Sequence, residues 1–326
     1  MSVVIMYFIF IACSNDDELW TDNAIGISVS TPHFDTENQS RTSMSGSTAS
    51  FVNGDKIGVF ETLTGRNNVA FTYNGSSWST TTPMYWKDGT STHTFYTYYP
   101  YNASNQGTSA ALPILNQQTV STIPDATCDM LVTSSAKTQT RSAGTSVAFT
   151  MKHAFALLRF DIKMGVLNLL NPYKIDSLIV RGGNPAGQAN PYGMFNTVND
   201  VTKINYNLTT NSVVLSTNNN TVCAQALRKV PPSVNLTTTA ISVYVLALPG
   251  VYTTPVPALS LSLSTLGLLT RSTGFLTLPN YSSFVAGNMY TYQVSIGVGL
   301  FSSARAELQA VEQRPILPAE IERYLP

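Results

Sequence analysis

Alternating apolar and polar residues run along most of the chain and predict β-strands from the N-terminal region to about residue 300. The clearest segment is 156–164 (ALLRFDIKM), where apolar and charged residues alternate from Leu158 to Lys163. A period of two is typical of a strand with one buried and one solvated face. Segments with this alternation, or rich in β-branched and aromatic residues, recur at 25–29, 56–60, 70–73, 93–99, 147–151, 175–180, 213–215, 241–248, 259–263 and 290–298. Because no capped helical pattern interrupts them before Leu300, we predict an all-β fold.

Turn residues between these segments divide the chain into compact units. Asn74-Gly75 lies between two predicted strands and is a strong hairpin signal. Short strands at this spacing predict β-sandwiches, and 326 residues leave room for about two domains. Asn171-Pro172 follows a predicted strand and would end its pairing, so we place the domain boundary near 165–172. We therefore expect an N-terminal sandwich over 25–166 and a C-terminal sandwich over 167–300.

The C-terminal segment 301–326 differs in composition from the predicted strands. Ser303–Arg314 (SARAELQAVEQR) contains good helix formers, and Pro315 and Pro318 follow it. We expect a short helix or a loose tail here, because proline cannot donate to a β-ladder.

The N-terminal segment combines an apolar run with a cysteine. Val3–Ile11 is entirely apolar but too short for a membrane-spanning helix, which needs about 20 residues. It matches the core of a secretory signal peptide, which we place at 1–12. The run ends at Ala12-Cys13 and resembles the lipobox of bacterial lipoproteins, which implies cleavage before Cys13 and acylation of its sulfur. Residues 13–24 would then be a lipid-anchored linker; the alternative is an ordinary signal peptide followed by an unrelated cysteine.

Composition narrows the class of partner. Charged residues make up 11% of the chain, against about 25% in ordinary soluble proteins, and the net charge is +0. Such a chain has no basic field that would attract nucleic acid. The low charge and the 17 prolines, together with abundant Thr, Val and Tyr, indicate an extracellular β-protein. Cys128 and Cys223 lack metal-ligand spacing; they could form one disulfide, although we favour two buried thiols.

No constellation for catalysis or metal binding can be located in the sequence. The three histidines, His33, His93 and His153, have no neighbour at ligand spacing. His153 heads an apolar strand, so we expect a packed and hydrogen-bonded side chain. Asp55 follows a glycine in a turn, where a carboxylate typically accepts hydrogen bonds from backbone amides. Because neither paired carboxylates nor a nucleophile triad can be found, we predict no enzyme activity, no cofactor and no metal site.

The aromatic segment His93–Tyr99 (HTFYTYY) has two interpretations. Exposed tyrosines could stack against sugars, which would suit a surface protein that binds glycans. With a period of two, however, Tyr96 and Tyr98 share one face of the strand, opposite Phe95 and Tyr99. We expect one of these faces to belong to the hydrophobic core.

Several local motifs, in order along the chain, resemble those of bacterial fimbrillins. The first, 51–60 (FVNGDKIGVF), is similar to the F-x-x-G-D-x-I-G-V-F signature of that family. The others are the aromatic segments 85–86 and 95–101, Asp129-Met130-Leu131, the strand 153–160 (HAFALLRF), Ala247-Leu248-Pro249 and 286–292 (AGNMYTY). On these motifs the chain resembles a fimbrillin-like surface lipoprotein.

The resemblance implies two transthyretin-like β-sandwiches in tandem after a lipoprotein signal peptide. In such proteins an arginine-specific protease removes the first strand, and the C-terminal strands of another subunit fill the groove that is left. Here the first strand is 25–29, and Arg41, the only arginine before Arg66, would be the processing site. The implied partners are other fimbrial subunits, the outer membrane through a lipid on Cys13, and a protein or glycan ligand on a host or bacterial surface.

The same resemblance predicts a fimbrial subunit or cell-surface adhesin, exposed at the outer membrane or in a fimbrium. Shaft subunits supply a C-terminal donor strand, so the helical character expected of 301–326 favours a tip, anchor or stand-alone role. The alternative, from a different functional class, is a surface lipoprotein that binds glycans and delivers them to an uptake system. A hydrolase is a distant third candidate.

Overall fold

The protein was analysed as a computed structural model, in which the described residues are 23–31, 51–119, 127–165, 173–181, 194–196, 204–215, 226–229, 235–252, 257–265, 269–278, 284–297 and 305–314. They form strands β1 (Gly26–Ser30), β2 (Lys56–Glu61), β3 (Arg66–Tyr73), β4 (Trp78–Ser79), β5 (His93–Tyr99), β6 (Ser109–Ala111), β7 (Leu131–Thr133), β8 (Lys137–Gln139), β9 (Ser146–His153), β10 (Ala156–Met164), β11 (Tyr173–Arg181), β12 (Ile204–Asn207), β13 (Ser212–Leu215), β14 (Ala226–Lys229), β15 (Ile241–Ala247), β16 (Ala258–Thr265), β17 (Leu269–Ser272), β18 (Leu276–Thr277), β19 (Met289–Gly297) and β20 (Arg305–Arg314). Short 3-10 helices cover Leu115–Gln117 and Arg141–Ala143. The predicted all-β fold is confirmed, and within the described residues no helix is long and apolar enough to cross a membrane.

The largest sheet comes from the N-terminal half of the chain. Its strands lie in the order β1-β9-β7-β5-β2-β3-β4, and β8 pairs with β5. β1 runs parallel to β9, whereas the other pairs in this sheet are antiparallel. The hairpin predicted at Asn74-Gly75 connects β3 to β4, and Gly75 adopts the left-handed φ of 95° that such a turn requires.

Three smaller sheets contain the later strands. Their orders are β15-β10-β19-β20, β14-β11-β16-β17 with β18 on β16, and β13-β12-β6. β10 therefore pairs with β15 and β19, although the sequence places it in the N-terminal sandwich. Only Ala154 and Phe155 separate β9 from β10, so the chain leaves the largest sheet there, before the boundary predicted near 165–172. Between β10 and β11 it passes from one smaller sheet to another. Alternation within a strand is a local signal that does not specify which strand it pairs with.

Buried side chains form two hydrophobic clusters. The first cluster lies in the largest sheet and its flanking segments and consists of Ile25, Ile27, Ile57, Val59, Val69, Phe71, Met84, Trp86, Phe95, Tyr99, Leu131, Val147, Phe149 and Met151. The second cluster begins at Phe60 and extends to Ile296. β5 lies between the two, because Phe95 belongs to the first cluster and Tyr98 to the second. Both faces of β5 are therefore core.

The C-terminal segment contains a strand, and the helix predicted for it is wrong. β20 pairs antiparallel with β19 from Gly297↔Arg305 to Met289↔Arg314. The helix propensity of this segment is overridden because β19 presents a long edge for pairing, along which Tyr292, Val294 and Ile296 are buried.

Candidate functional site

β1 lies at the end of the largest sheet, and its neighbour β9 comes from far along the sequence. The two strands are in register from Gly26↔Ser146 to Ser30↔Thr150. Because β1 is terminal in the order of strands, its removal would break no other strand pair of that sheet.

A second segment holds the N-terminal half of β1 on its other side. The Ile25 amide donates to the Met84 carbonyl at 2.8 Å, and the Trp86 amide donates to the Asn23 carbonyl at 3.0 Å. Asn23 Nδ2 also donates to the Trp86 carbonyl at 2.7 Å. We call the space between 146–150 and 84–86 the β1 groove. An occupant of this groove is hydrogen-bonded along one whole edge and along part of the other.

The side chains of β1 anchor it in the first cluster. Ile25 and Ile27 are only 5% and 8% exposed, and Val29 packs against the same cluster while half-buried. Gly26 and Ser28, between them, are exposed. Burial of one isoleucine contributes about 1.5–3 kcal/mol, so apolar contacts supply much of the free energy that retains the strand.

A buried histidine and carboxylate lie next to Trp86, and the sequence analysis did not identify this pair. His93 Nδ1 is 3.0 Å from Glu61 Oε1 and both side chains are fully buried, although the contact is poorly aligned as a hydrogen bond. His93 Nε2 accepts from the Lys87 amide at 3.1 Å, which leaves Nδ1 as the protonated ring nitrogen in the neutral histidine. The Trp86 ring packs edge-on against the imidazole with centroids 5.0 Å apart. The pair thus supports the wall residue Trp86.

A second buried pair joins two of the sequence motifs. His153 Nδ1 lies 2.9 Å from Asp129 Oδ1, and both residues are buried. This confirms the prediction that His153 is packed and hydrogen-bonded. The pair links the end of β9 to the segment that precedes β7 and so fixes the strand against which β1 lies.

Asp55 acts as the turn residue that the sequence predicts. Its Oδ2 accepts from the Val52 amide at 2.8 Å, and its Oδ1 accepts from the Tyr99 hydroxyl at 3.0 Å. The side chain therefore ties the turn before β2 to the end of β5.

Close packing explains the second glycine of the 51–60 motif, Gly58. A Cβ at Gly58 would lie 2.2 Å from Tyr98 Cε1 and 2.5 Å from Asn68 Oδ1. The Tyr98 hydroxyl donates to Asn68 Oδ1 at 2.8 Å, so the ring is held in place over the glycine. Burial raises the pKa of Tyr98. At 1% exposure this tyrosine cannot stack against a sugar, and Phe95 on the opposite face is equally buried.

Other predicted residues have the following placement. Cys13 and Arg41 lie outside the described residues, as does Cys223. Cys128 is buried with its Sγ 3.8 Å from the Ile114 carbonyl oxygen. Among the described residues, no group of three His, Cys, Asp or Glu side chains could hold a metal ion.

Comparison with known proteins identifies a family over most of the chain. Residues 40–310 match the family described as fimbrillin-like. A candidate fimbrium tip subunit of Bacteroides ovatus, Fim1C, is 34% identical over 114 residues, which are 32% of this chain and 21% of that protein. The chain thus spans about a fifth of the length of this relative.

Solved structures share the fold at low sequence identity. A candidate cell adhesion protein from Bacteroides ovatus has a TM-score of 0.57 at 15% identity, over 90% of this chain and 98% of that chain. One from Bacteroides uniformis has a TM-score of 0.52 at 17% identity, over 88% and 98% respectively.

Proposed function

The chain belongs to the fimbrillin-like family, and from this premise we propose that it is a fimbrial subunit or fimbrillin-like cell-surface adhesin in which a donor strand from another subunit replaces β1. It has no chemistry of its own in this proposal. Its partners are other fimbrial subunits and a ligand on a host or bacterial surface.

One observation carries the proposal: β1 is a terminal strand whose inward side chains belong to a core that the rest of the sheet builds. Removal of β1 would take Ile25 and Ile27 out of the cluster that includes Val147, Phe149 and Trp86, and the edge of 146–150 that faces β1 would lose its strand partner. Both penalties are relieved when another extended strand enters, which is the physical basis of β-strand addition.

Processing and anchoring complete the proposal. Arg41 follows β1 in the chain and lies before the 51–60 motif, so cleavage there would free the first strand. A lipid on Cys13 would hold the unprocessed subunit at the outer membrane. One acyl chain binds membranes only marginally, so we expect more than one on Cys13.

The place of the subunit in a filament depends on whether its C-terminal segment can act as a donor strand. Residues 305–314, where a helix was expected, form a strand, so helical character no longer counts against a donor role. The partial likeness to a candidate tip subunit supports a tip position, over the 32% of the chain that it covers. We retain a tip, anchor or stand-alone role as the proposal, because the C-terminal strand of this chain fits the β1 groove poorly.

The proposal is tested by following β1 during assembly. Surface-assembled protein should begin at Thr42 after treatment with an arginine-specific protease, and unboiled samples should show complexes with other subunits on a gel. The Arg41→Lys variant keeps the charge and should remain uncut. Assembled material in which Ile25 is still covalently attached would refute the exchange.

The lipid anchor has a separate test. Cys13→Ala should accumulate as a precursor that retains its apolar segment and takes up no labelled palmitate, whereas Cys128→Ala should label like the unmodified chain. Normal labelling of Cys13→Ala would exclude the anchor and leave strand exchange unaffected.

A further inference from the structure

We propose that the β1 groove is built for a donor strand from a different chain, and that the C-terminal segment of this chain fits it poorly. The inference rests on the proposed function, since it concerns which strand replaces β1. It follows from the side chains that β1 places in the groove.

The groove requires bulky apolar side chains at three alternate positions. Ile25 and Ile27 fill it almost completely, and Val29 fills it in part. The intervening positions tolerate small residues: a Cβ at Gly26 would lie 3.4 Å from Ser146 Cβ, close to ordinary van der Waals contact. The fitting occupant is a strand with β-branched residues at its first, third and fifth positions and a small or polar residue between each pair.

β20 has the required alternation but not the required volume. Its alternate apolar residues are Ala306, Leu308 and Ala310. If Leu308 takes the place of Ile27, an alanine stands at each flanking position. A shift by two residues brings Glu312 or Ala304 into the set instead. Every register of β20 therefore leaves alanine, glutamine or a charged residue at one or more positions where the groove holds isoleucine or valine.

The residues after β20 do not supply a better strand. Their best window, Leu317, Ala319 and Ile321, has alanine at the central position. It also has Pro318 at the place of Gly26, whose amide donates to the Thr145 carbonyl at 3.0 Å. Proline has no amide hydrogen, so this bond would be lost.

One other segment of the chain closely matches the sequence pattern of β1, but its first residues belong to strand β19. Residues 296–300 (IGVGL) repeat the pattern of 25–29 (IGISV). Ile296 is fully buried in the second cluster, and its strand β19 lies between β10 and β20. Ile296 could leave its place only by opening the second core. A second copy of this chain is therefore a poor donor, and the fitting donor comes from another subunit.

The mismatch is large enough to measure. Replacing isoleucine by alanine removes three buried carbon groups, and replacing half-buried valine by alanine removes two more. Together these losses correspond to roughly a hundredfold weaker binding.

A peptide competition on the full chain tests the inference. A site for a sequence-specific protease is inserted near residue 36, so that cleavage does not depend on Arg41. After the cut, a fluorescent peptide of residues 23–31 is exchanged into the groove in mild urea until its signal is constant. Unlabelled competitors are peptides 23–31, 304–314, and 304–314 carrying A306I and A310V; a 23–31 peptide with I27D controls for nonspecific binding.

We expect peptide 304–314 to compete roughly a hundredfold more weakly than 23–31, and the A306I/A310V peptide to recover most of the difference. Equal competition by 304–314 and 23–31 would overturn the inference while the exchange mechanism stands. Failure of 23–31 itself to enter the groove of fully cut protein would overturn the proposed function, and the inference with it.

Discussion

Ile27→Ala is the sharpest perturbation of the β1 groove, because it changes β1 without touching the walls. The side chain is 8% exposed and belongs to the first cluster. Truncation removes three buried carbon groups at about 0.8 kcal/mol each, so the free energy that holds β1 in place should fall by about 2.4 kcal/mol, before any cavity cost. Ser28→Ala is the matched control. Ser28 is the exposed neighbour of Ile27, so its truncation should change stability by no more than about 0.5 kcal/mol.

Hydrogen exchange at the β1 amides measures this change directly. A loss of 2.4 kcal/mol corresponds to ~50-fold less protection for amides between Gly26 and Ser30. If β1 opens on its own, protection in β5 should be unchanged; if it opens only with global unfolding, β5 should lose protection in parallel. Either result fits a strand anchored by its side chains. Equal protection of β1 in Ile27→Ala and Ser28→Ala would refute the reasoning, because the backbone ladder alone would then retain the strand.

Three further predictions concern side chains that support the largest sheet and two buried tyrosines in the smaller sheets. Gly58→Ala should lower the free energy of unfolding by about 1–3 kcal/mol or more, since its Cβ would lie 2.2 Å from an aromatic carbon; an unchanged urea midpoint would contradict this. Asp129→Ala breaks the buried contact with His153 and should cost about 1–3 kcal/mol, whereas Asp129→Asn keeps an acceptor and should cost less; equal losses would argue against the hydrogen bond. Burial raises the pKa of Tyr206 and of Tyr292, so the folded state keeps these phenol protons above the usual pKa of about 10. The stability that these two neutral phenols contribute is complete below about pH 10 and is lost as the pH rises above it. Ultraviolet titration of the folded protein should show both tyrosines ionising only on unfolding.

Local features of the fold could be predicted because their causes are local. The alternation of 156–164 specifies a strand with one core face, and Asn74-Gly75 specifies a hairpin. The partner of a strand depends on contacts between distant segments, so the pairing of β10 with β15 and β19 could not be derived from its own residues. The tail was mispredicted for a related reason: helix propensities differ by only ~0.7 kcal/mol per residue or less, and pairing with a long neighbouring strand outweighs them.

The candidate site shows the same contrast between local features, which could be predicted, and contacts between distant residues, which could not. The sequence predicts that His153 is hydrogen-bonded but gives no means of choosing Asp129 as its partner. The contact of His93 with Glu61 was missed altogether. A signal was present, because Glu61 closes an otherwise apolar strand segment from Ile57, where a charged side chain needs a buried partner. Cys13 and Arg41 stay predictions, since they lie outside the described residues.

β1 and β20 are each the end strand of a sheet, so what distinguishes them in the proposed assembly is the fit of their side chains. In the proposed exchange β1 leaves its sheet and another strand takes its place, with every other strand pair in that sheet intact. β20 pairs with β19 over most of its length, and Tyr292, Val294 and Ile296 of β19 are at most 2% exposed beside it. If β20 left to enter the groove of a neighbouring subunit, β19 would lose its strand partner. The packing gained in the groove would not compensate for this loss, because alanines would enter a groove shaped for isoleucine and valine. Under the proposed exchange, this subunit would accept a strand more readily than it gives one, which is the property that we propose for a subunit at an end of a filament and not along its shaft.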